Sequence, residues 1–283
     1  MNETLDDITF LVRSEHRVGV LETLTEHAAD RSDLRAATGA SSPTMGRILA
    51  DFEDRHWIVR EGRTYRLTGL GEFVADRFGE FRDAMTVERQ LRDVWPWLPH
   101  EIDGFHVELF ADAVVSRPGP GYPYQPIERL THLLRETTTM RGFGMAILKS
   151  GNLEVFFDRA LSDLECEYIY PPTVFEALLS WDEETVVEAA ARDNYAVLLH
   201  DELPIDDRCG ICLFDDRVSL CCYDHETGGL QALIDSESSA MRSWAESYYE
   251  RFRTEARPLD TAGSHASMES VRETLDSGSP VVR

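Results

Sequence analysis

The chain of 283 residues is almost without lysine: Lys149 is the single one, so 27 of the 28 basic residues are arginine, set against 52 acids for a formal net charge of −24. No run of about 18 uncharged apolar residues is present either, which excludes an apolar membrane-spanning helix. The opening MNETLDDITF lacks the basic-then-apolar layout of a secretory leader, so the expected location is cytoplasmic. Signatures of common enzyme chemistry are missing too: there is no phosphate loop, no GxGxxG after a strand, no GxSxG and no HExxH. A phospholipase-D-like reaction would need a His-x-Lys pair, and Lys149 has no such neighbour. The expectation is a protein that is not an enzyme, with no cofactor, no metal and no membrane partner.

What is present is acid. An acid-rich, lysine-poor surface suits solubility in molar salt, where charges are screened within about 3 Å; the plain alternative is an acidic protein from a GC-rich genome. The acidity is not uniform. Residues 41–70 hold five arginines (47, 55, 60, 63, 66) and four acids (51, 53, 54, 61), a net of +1, whereas the chain as a whole carries a surplus acid about every twelve residues. With 42% hydrophobic residues the chain is an ordinary globular protein, long enough for two domains with a core each.

Apolar spacing predicts a helix over 5–28, then a short one over 32–38 with Ser32 as N-cap and Gly39 as terminator. A third starts at Ser42-Pro43, with a capping serine and proline at the first helical position, and buries Met45, Ile48, Leu49 and Phe52. WIVREGRTYRLT (57–68) reads as two strands about Glu61-Gly62-Arg63. Thr68 caps a further helix whose residues Leu70, Phe73, Val74, Phe78, Phe81 and Met85 make one apolar face, a surface that packs on its own domain or on a symmetry mate. WPWLP (95–99) marks a boundary. Beyond it, strands at 110–115, 142–148, 165–170 and 195–200 alternate with helices at 126–138, 152–161, 173–192 and 236–256, an α/β pattern. CGICLFDDRVSLCCYD is the exception, an antiparallel hairpin about Asp215-Asp216. The expected organisation is 1–69, 70–99 as a linking and dimerising helix, 100–259, and a loose tail over 260–283.

Three helices followed by a hairpin is the order of a winged helix-turn-helix. The major groove is about 12 Å wide and admits one helix, whose N-terminal side chains meet base edges. Opposite the buried stripe, the third helix presents Ser41, Thr44, Arg47 and Asp51. Arg47 is the candidate for a bidentate guanine contact; Ser41, Ser42 and Thr44 suit phosphates or bases beside the helix N-terminus. Arg60, Arg63 and Arg66 would lie along the wing. The competing reading makes these arginines a solvated surface paired with local acids.

The stretch SSPTMGRILADFEDRHWIVREGRTYRLTGLGEFVADRF resembles archaeal winged-helix regulators, through its SxxT…R start, the aromatic after the third helix, the Y-x-L-T exit and the following L-G helix. Residues 105–257 resemble the FilR-type (methanogenesis regulator) middle domain of haloarchaeal regulators, through YPYQPIERLTHLLRE, FDDRVSLCCYD and AMRSWAESYYERFR. The resemblance implies a sequence-specific transcriptional regulator of a halophilic archaeon, dimeric, bound to promoter DNA, with a second domain that senses a ligand. The alternative from another class is an interaction adaptor whose winged helix contacts protein instead of specific DNA.

Ligands of parallel α/β sheets bind where strand C-termini feed helices. Lys149-Ser150 offers a cation and free backbone N–H groups to a small anionic metabolite; Tyr170 and Thr173 follow one strand and His200 another, and Arg117 with Tyr122 and Tyr124 occupies the loop RPGPGYPYQP. Each also reads as an ordinary loop, with Thr173 a cap and the tyrosines packing. Cys209, Cys212, Cys221 and Cys222 raise the question of zinc, which needs four converging ligands. In a hairpin, adjacent Cys221 and Cys222 point to opposite faces, so convergence is unfavourable and small buried hydrophobes are the better reading. A redox pair of Cys209 and Cys212 is the remaining thiol alternative.

Overall fold

A computed structural model describes residues 3–144, 152–203, 209–224 and 229–259. The chain divides into two compact units, Met1–Met85 and Thr86–Arg283.

In the first unit, α1 (Glu3–Val12) and α2 (Glu15–Glu26) replace the single helix expected over 5–28; Ser14, in extended conformation, breaks it. The strand β1 (Ala29–Asp30) leads into α3 (Arg31–Thr38), whose N-cap is Asp30 and not Ser32: its carboxylate accepts from the backbone of Ser32 and Asp33, and those bonds hold its pKa below the usual carboxylate value. Gly39, at φ +69°, ends the helix as expected. Next comes α4 (Ser42–Asp54), capped by Ser41, one residue earlier than expected, with proline in its first turn. Met45, Ile48, Leu49 and Phe52 are buried against Val20, Leu34 and Trp57. The hairpin β2 (Ile58–Glu61) and β3 (Thr64–Leu67) turns at Gly62-Arg63, and Gly62 takes φ +64°, where a Cβ would be strained. β1 pairs with β3, completing a three-stranded sheet in the order β1-β3-β2.

The helix α5 (Gly69–Leu91) begins after Thr68, whose hydroxyl accepts from Gly71 N and donates to the His56 carbonyl. Gly71 is obligatory in another sense: a Cβ there would stand 1.9 Å from the Trp57 carbonyl oxygen. The single apolar face expected on this helix is split. Val74 and Phe78 pack on the core of the first unit, while Leu70, Phe73, Phe81 and Met85 stay exposed, as do Leu5, Ile8 and Val12 of α1.

The second unit is an eight-stranded sheet between two layers of helix, in the order β11-β7-β6-β5-β8-β9-β10-β4. Its strands are β4 (Val114–Ser116), β5 (Thr139–Phe143), β6 (Glu165–Tyr170), β7 (Tyr195–Leu199), β8 (Cys209–Leu213), β9 (Val218–Tyr223), β10 (Leu230–Ser236) and β11 (Arg257–Pro258). β5, β6 and β7 are parallel and the other pairings antiparallel. One face carries α6 (Gln125–Glu136), α7 (Leu153–Ala160), α8 (Pro172–Trp181) and α9 (Glu183–Ala190), the other α10 (Ser239–Arg253) and the last turns of α5. The single helix expected over 173–192 is two, because the Asp182 side chain accepts from Thr185 N and starts a new helix. The strand expected at 110–115 starts at Val114, after a 3-10 turn at Val107–Phe110. β5 begins three residues before the strand expected over 142–148, whose remainder lies outside the described residues, as does the tail over 260–283.

Candidate nucleic-acid interface

The outward surface of the first unit is set by the cap of α4. The Ser41 hydroxyl accepts from Thr44 N at 3.3 Å and shares a 2.8 Å hydrogen bond with the Thr44 hydroxyl, so both are partly engaged in holding the helix N-terminus. Ser42 is exposed, and its carbonyl accepts at 2.6 Å from the Arg31 guanidinium, which also reaches the Ser42 hydroxyl. The guanidinium of Arg31, a residue the sequence reasoning passed over, thus lies beside the first turn of α4. A run of α3 beginning with arginine was visible in the sequence; that it folds back on Ser42 was not.

Arg47, one turn further along α4, is exposed and makes no hydrogen bond or ion pair among the described residues. Its helix neighbour Asp51 is neutralised from behind by Arg17 at 3.6 Å. Arg17 also donates to the Phe10 carbonyl and lies 3.8 Å from the centre of the Phe10 ring.

The wing arginines do not act as one row. Arg60 stands opposite Tyr65 and Arg66 opposite Val59, so the two project from opposite faces of the hairpin. Arg66 is bound to Glu61 at 2.7 Å; Arg60 bonds only the Gly62 carbonyl and lies over the Tyr65 ring. Arg63, in the turn, is exposed and forms no ion pair among the described residues, though its charge helps to lower the pKa of Asp30. Ser42, Arg47, Arg60 and Arg63 therefore remain accessible, whereas Ser41 and half-buried Thr44 are bonded to each other at the cap and Arg66 is neutralised.

The residues suggested for a ligand are dispersed. Tyr170 and His200 end adjacent parallel strands, and His200 N donates to the Tyr170 carbonyl at 3.0 Å. The Tyr170 side chain points into the helix-covered core, with its hydroxyl 2.7 Å from that of Tyr195. Thr173 is exposed in the first turn of α8, where Pro171 is the N-cap, so it is not a cap itself. His200 is buried; its Nδ1 accepts from Glu202 N, and Nε2 lies 3.7 Å from Glu255. Arg117, Tyr122 and Tyr124 lie after β4, at the far edge of the sheet, with Arg117 bound to Asp93 and both tyrosines exposed. They do not join Tyr170 and His200 in one site. Lys149 and Ser150 lie outside the described residues.

The four hairpin cysteines separate as strand geometry requires: Cys209 and Cys222 enter the core beneath α10, Cys212 and Cys221 the core on the other face. No cluster of three or more metal-ligating side chains occurs among the described residues.

Residues 5–90 match the HVO_A0261 N-terminal domain, and residues 123–255 match the middle domain of the methanogenesis regulatory protein FilR1. The FilR1-type match begins just before α6 and runs through α10, and so takes in most of the second unit's sheet. No curated protein matches the chain. Among solved structures, TrmBL2, an archaeal chromatin protein, is 9% identical at a TM-score of 0.41, covering 86% of this chain and 93% of its own. NucT from Helicobacter pylori is 13% identical at a TM-score of 0.40, covering 52% of this chain and 99% of its own. Nuc from Salmonella typhimurium, a phospholipase D family member, is 9% identical at 0.39, covering 52% and 96%. No helix among the described residues is long and apolar enough to cross a membrane.

Proposed function

We propose that the chain is a sequence-specific transcriptional regulator that reads double-stranded promoter DNA with α4 and the β2–β3 hairpin. The observation that carries this reading is Arg47: an exposed guanidinium, on the outward face of α4, without a carboxylate partner among the described residues of a chain with net charge −24. In such a chain a surface arginine has acids in excess to pair with, and Arg47 shares its freedom from them with its neighbours Arg60 and Arg63 of the hairpin. Thr44, Ser42 and the Arg31 guanidinium flank it, as hydrogen-bond donors to phosphate do at a helix N-terminus. The match to the middle domain of the methanogenesis regulatory protein FilR1 is consistent with this reading.

The same proposal makes the protein a homodimer, through exposed Leu70, Phe73, Phe81 and Met85 of α5, and gives the second unit the task of sensing a small molecule. Thr173 and His200, at the C-terminal ends of parallel strands, are the described residues best placed for that ligand. No catalytic role is assigned.

The test is Arg47→Ala in a binding assay on promoter fragments, in molar potassium chloride. At that salt the counterion-release contribution shrinks, so direct contacts carry the affinity. A bidentate guanine contact is worth about 1–3 kcal/mol, so affinity falls about five- to 150-fold on the specific site. A loss below about threefold removes Arg47 from base readout. Genome-wide cross-linking separates the regulator from the adaptor: discrete promoter peaks favour the first, a diffuse background the second.

A further inference from the structure

The β8–β9 hairpin holds four of the five cysteines, and DNA reading uses none of them. In sequence, Cys-x-x-Cys spacing pairs Cys209 with Cys212. The fold breaks that pair, since residues three apart on a strand face opposite sides. Cys209 instead stands directly across the antiparallel ladder from Cys222, with their Sγ atoms 3.5 Å apart. Cys212 and Cys221 share the other face, diagonal to each other, opposite Ser219 and Gly210 respectively, and a hydrogen bond between their thiols pushes the Cys212 thiol up.

Register decides which pair can close. Directly opposed antiparallel residues have Cα atoms about 4.5–5.5 Å apart, within the roughly 4.4–6.8 Å that a disulfide spans. The backbones of diagonal neighbours are about 7–8 Å apart, wider than that span, so Cys212 and Cys221 meet through a thiol hydrogen bond but need a strand shift to close a disulfide. The contact of 3.5 Å between the Cys209 and Cys222 sulfurs must shorten by about 1.5 Å to reach bonding distance, a movement that side-chain rotation supplies with little shift of the strands.

We propose that Cys209 and Cys222 form a cross-strand dithiol that a small diffusible peroxide oxidises to a disulfide inside the sheet. The sulfur of one thiolate attacks a peroxide oxygen, the O–O bond breaks, and the departing hydroxide takes up the thiol's proton as water. The resulting sulfenic acid is attacked by the second sulfur; its S–O bond breaks, and a second water leaves with the second thiol's proton. Two thiols lose two electrons in all, and one peroxide gains them. Both sulfurs are buried beside Trp244 and Tyr248, and burial pushes the Cys209 thiol up, so little thiolate exists at neutral pH. The oxidation is therefore slow, and answers to sustained exposure to peroxide.

The experiment treats the full-length protein in molar salt with hydrogen peroxide, alkylates free thiols under denaturing conditions, and maps the peptides by mass spectrometry. The expected result is one cross-linked species joining Cys209 to Cys222, with Cys166, Cys212 and Cys221 alkylated, and loss of the cross-link after dithiothreitol. Five alkylated cysteines, a bond involving Cys212 or Cys221, or sulfinic acid on Cys209 with Cys222 still free would each overturn the proposal. Cys212→Ser leaves the cross-link in place, and Cys222→Ser abolishes it. Should Cys222→Ser fail to fold, the wild-type map decides alone. None of these readouts depends on DNA binding, so the result stands apart from the regulator reading.

Discussion

Arginine is used in opposite ways in the two units. In the second, Arg92, Arg117, Arg129, Arg141, Arg159, Arg192, Arg217, Arg242, Arg253 and Arg257 each lie within 4.0 Å of a carboxylate, with surface Arg89, Arg135 and Arg251 as exceptions among the described residues. In the first, Arg13, Arg31, Arg35, Arg47, Arg60 and Arg63 have no such partner among the described residues, although Arg17, Arg55, Arg66, Arg77 and Arg82 do. Apart from Arg13, between α1 and α2, the unpaired set lies in α3, α4 and the hairpin. Where acids outnumber bases by 52 to 28, this clustering is what the proposed DNA-reading surface requires. The difference teaches that one residue type serves as internal cement in one unit and as an outward-facing charge in the other.

The sharpest test on the cement side is Asp235. It is wholly buried, gripped by Arg129 through both oxygens at 2.7 and 3.0 Å and by Arg217 at 2.6 Å, and Arg217 also binds Glu237. Asp235→Ala leaves Arg129 without a carboxylate and Arg217 with Glu237 alone, and a broken buried pair costs about 3–5 kcal/mol. Denaturant unfolding at fixed salt should show this loss in the second unit. A change below about 1 kcal/mol would mean that solvent, and not Asp235, satisfies these arginines.

On the open side, Arg47→Ala should leave stability within about 0.5 kcal/mol, since a surface residue without partners holds nothing together. DNA affinity, in contrast, falls by the equivalent of about 1–3 kcal/mol. A variant that loses both in parallel would place Arg47 in the structural group and erase the contrast.

Asp215 lies between these extremes. From the turn between β8 and β9 its carboxylate accepts from the backbone and hydroxyls of Thr138 and Thr139 at 2.6–3.2 Å, fastening the hairpin to the start of β5. Partial burial alone would raise its pKa, but these bonds bring it down to about 2 from an ordinary 3.8. A depressed carboxylate stabilises the fold fully above its unfolded value, and the contribution fades as the pH falls from about 4 to about 2. Asp215→Asn should flatten that part of the stability–pH curve and cost about 1 kcal/mol at neutral pH, a modest figure because the side chain is exposed. An unchanged acid limb would show that the hairpin is held elsewhere.

These contrasts explain what could be read from the sequence. The stripe Met45, Ile48, Leu49, Phe52 follows from helical period, and the alternation around Asp215 shows a hairpin, because both signals are local. β10 escaped notice since LQALIDS is covered on both faces and shows little alternation, and β11 is only two residues long. The breaks at Ser14 and Asp182 escaped because capping residues look like ordinary polar positions inside a periodic run. Ion pairing was illegible for another reason. Arg129 and Asp235 are separated by 106 positions, and Arg66 differs from Arg63 only in having Glu61 within reach once the hairpin forms. Arg47 stood out in the sequence by its place on the helix, but its freedom from acids became visible only in the fold.

The smallest expected effect is also the finest probe of the comparison, because it lies within one hairpin. Arg63 and Arg66 are both exposed and three residues apart, yet only Arg66 has a carboxylate, that of Glu61 at 2.7 Å. A cation that neutralises a phosphate releases about 0.9 counterion, so Arg63→Ala should lower the slope of log affinity against log salt by nearly one. Arg66→Ala removes a charge already offset by its neighbour, and the slope should stay within error. Glu61→Gln then becomes informative: by freeing Arg66 it should steepen the slope, making a paired arginine behave like an unpaired one. Equal slopes in all three variants would mean that the hairpin does not approach the backbone, and that α4 meets DNA alone.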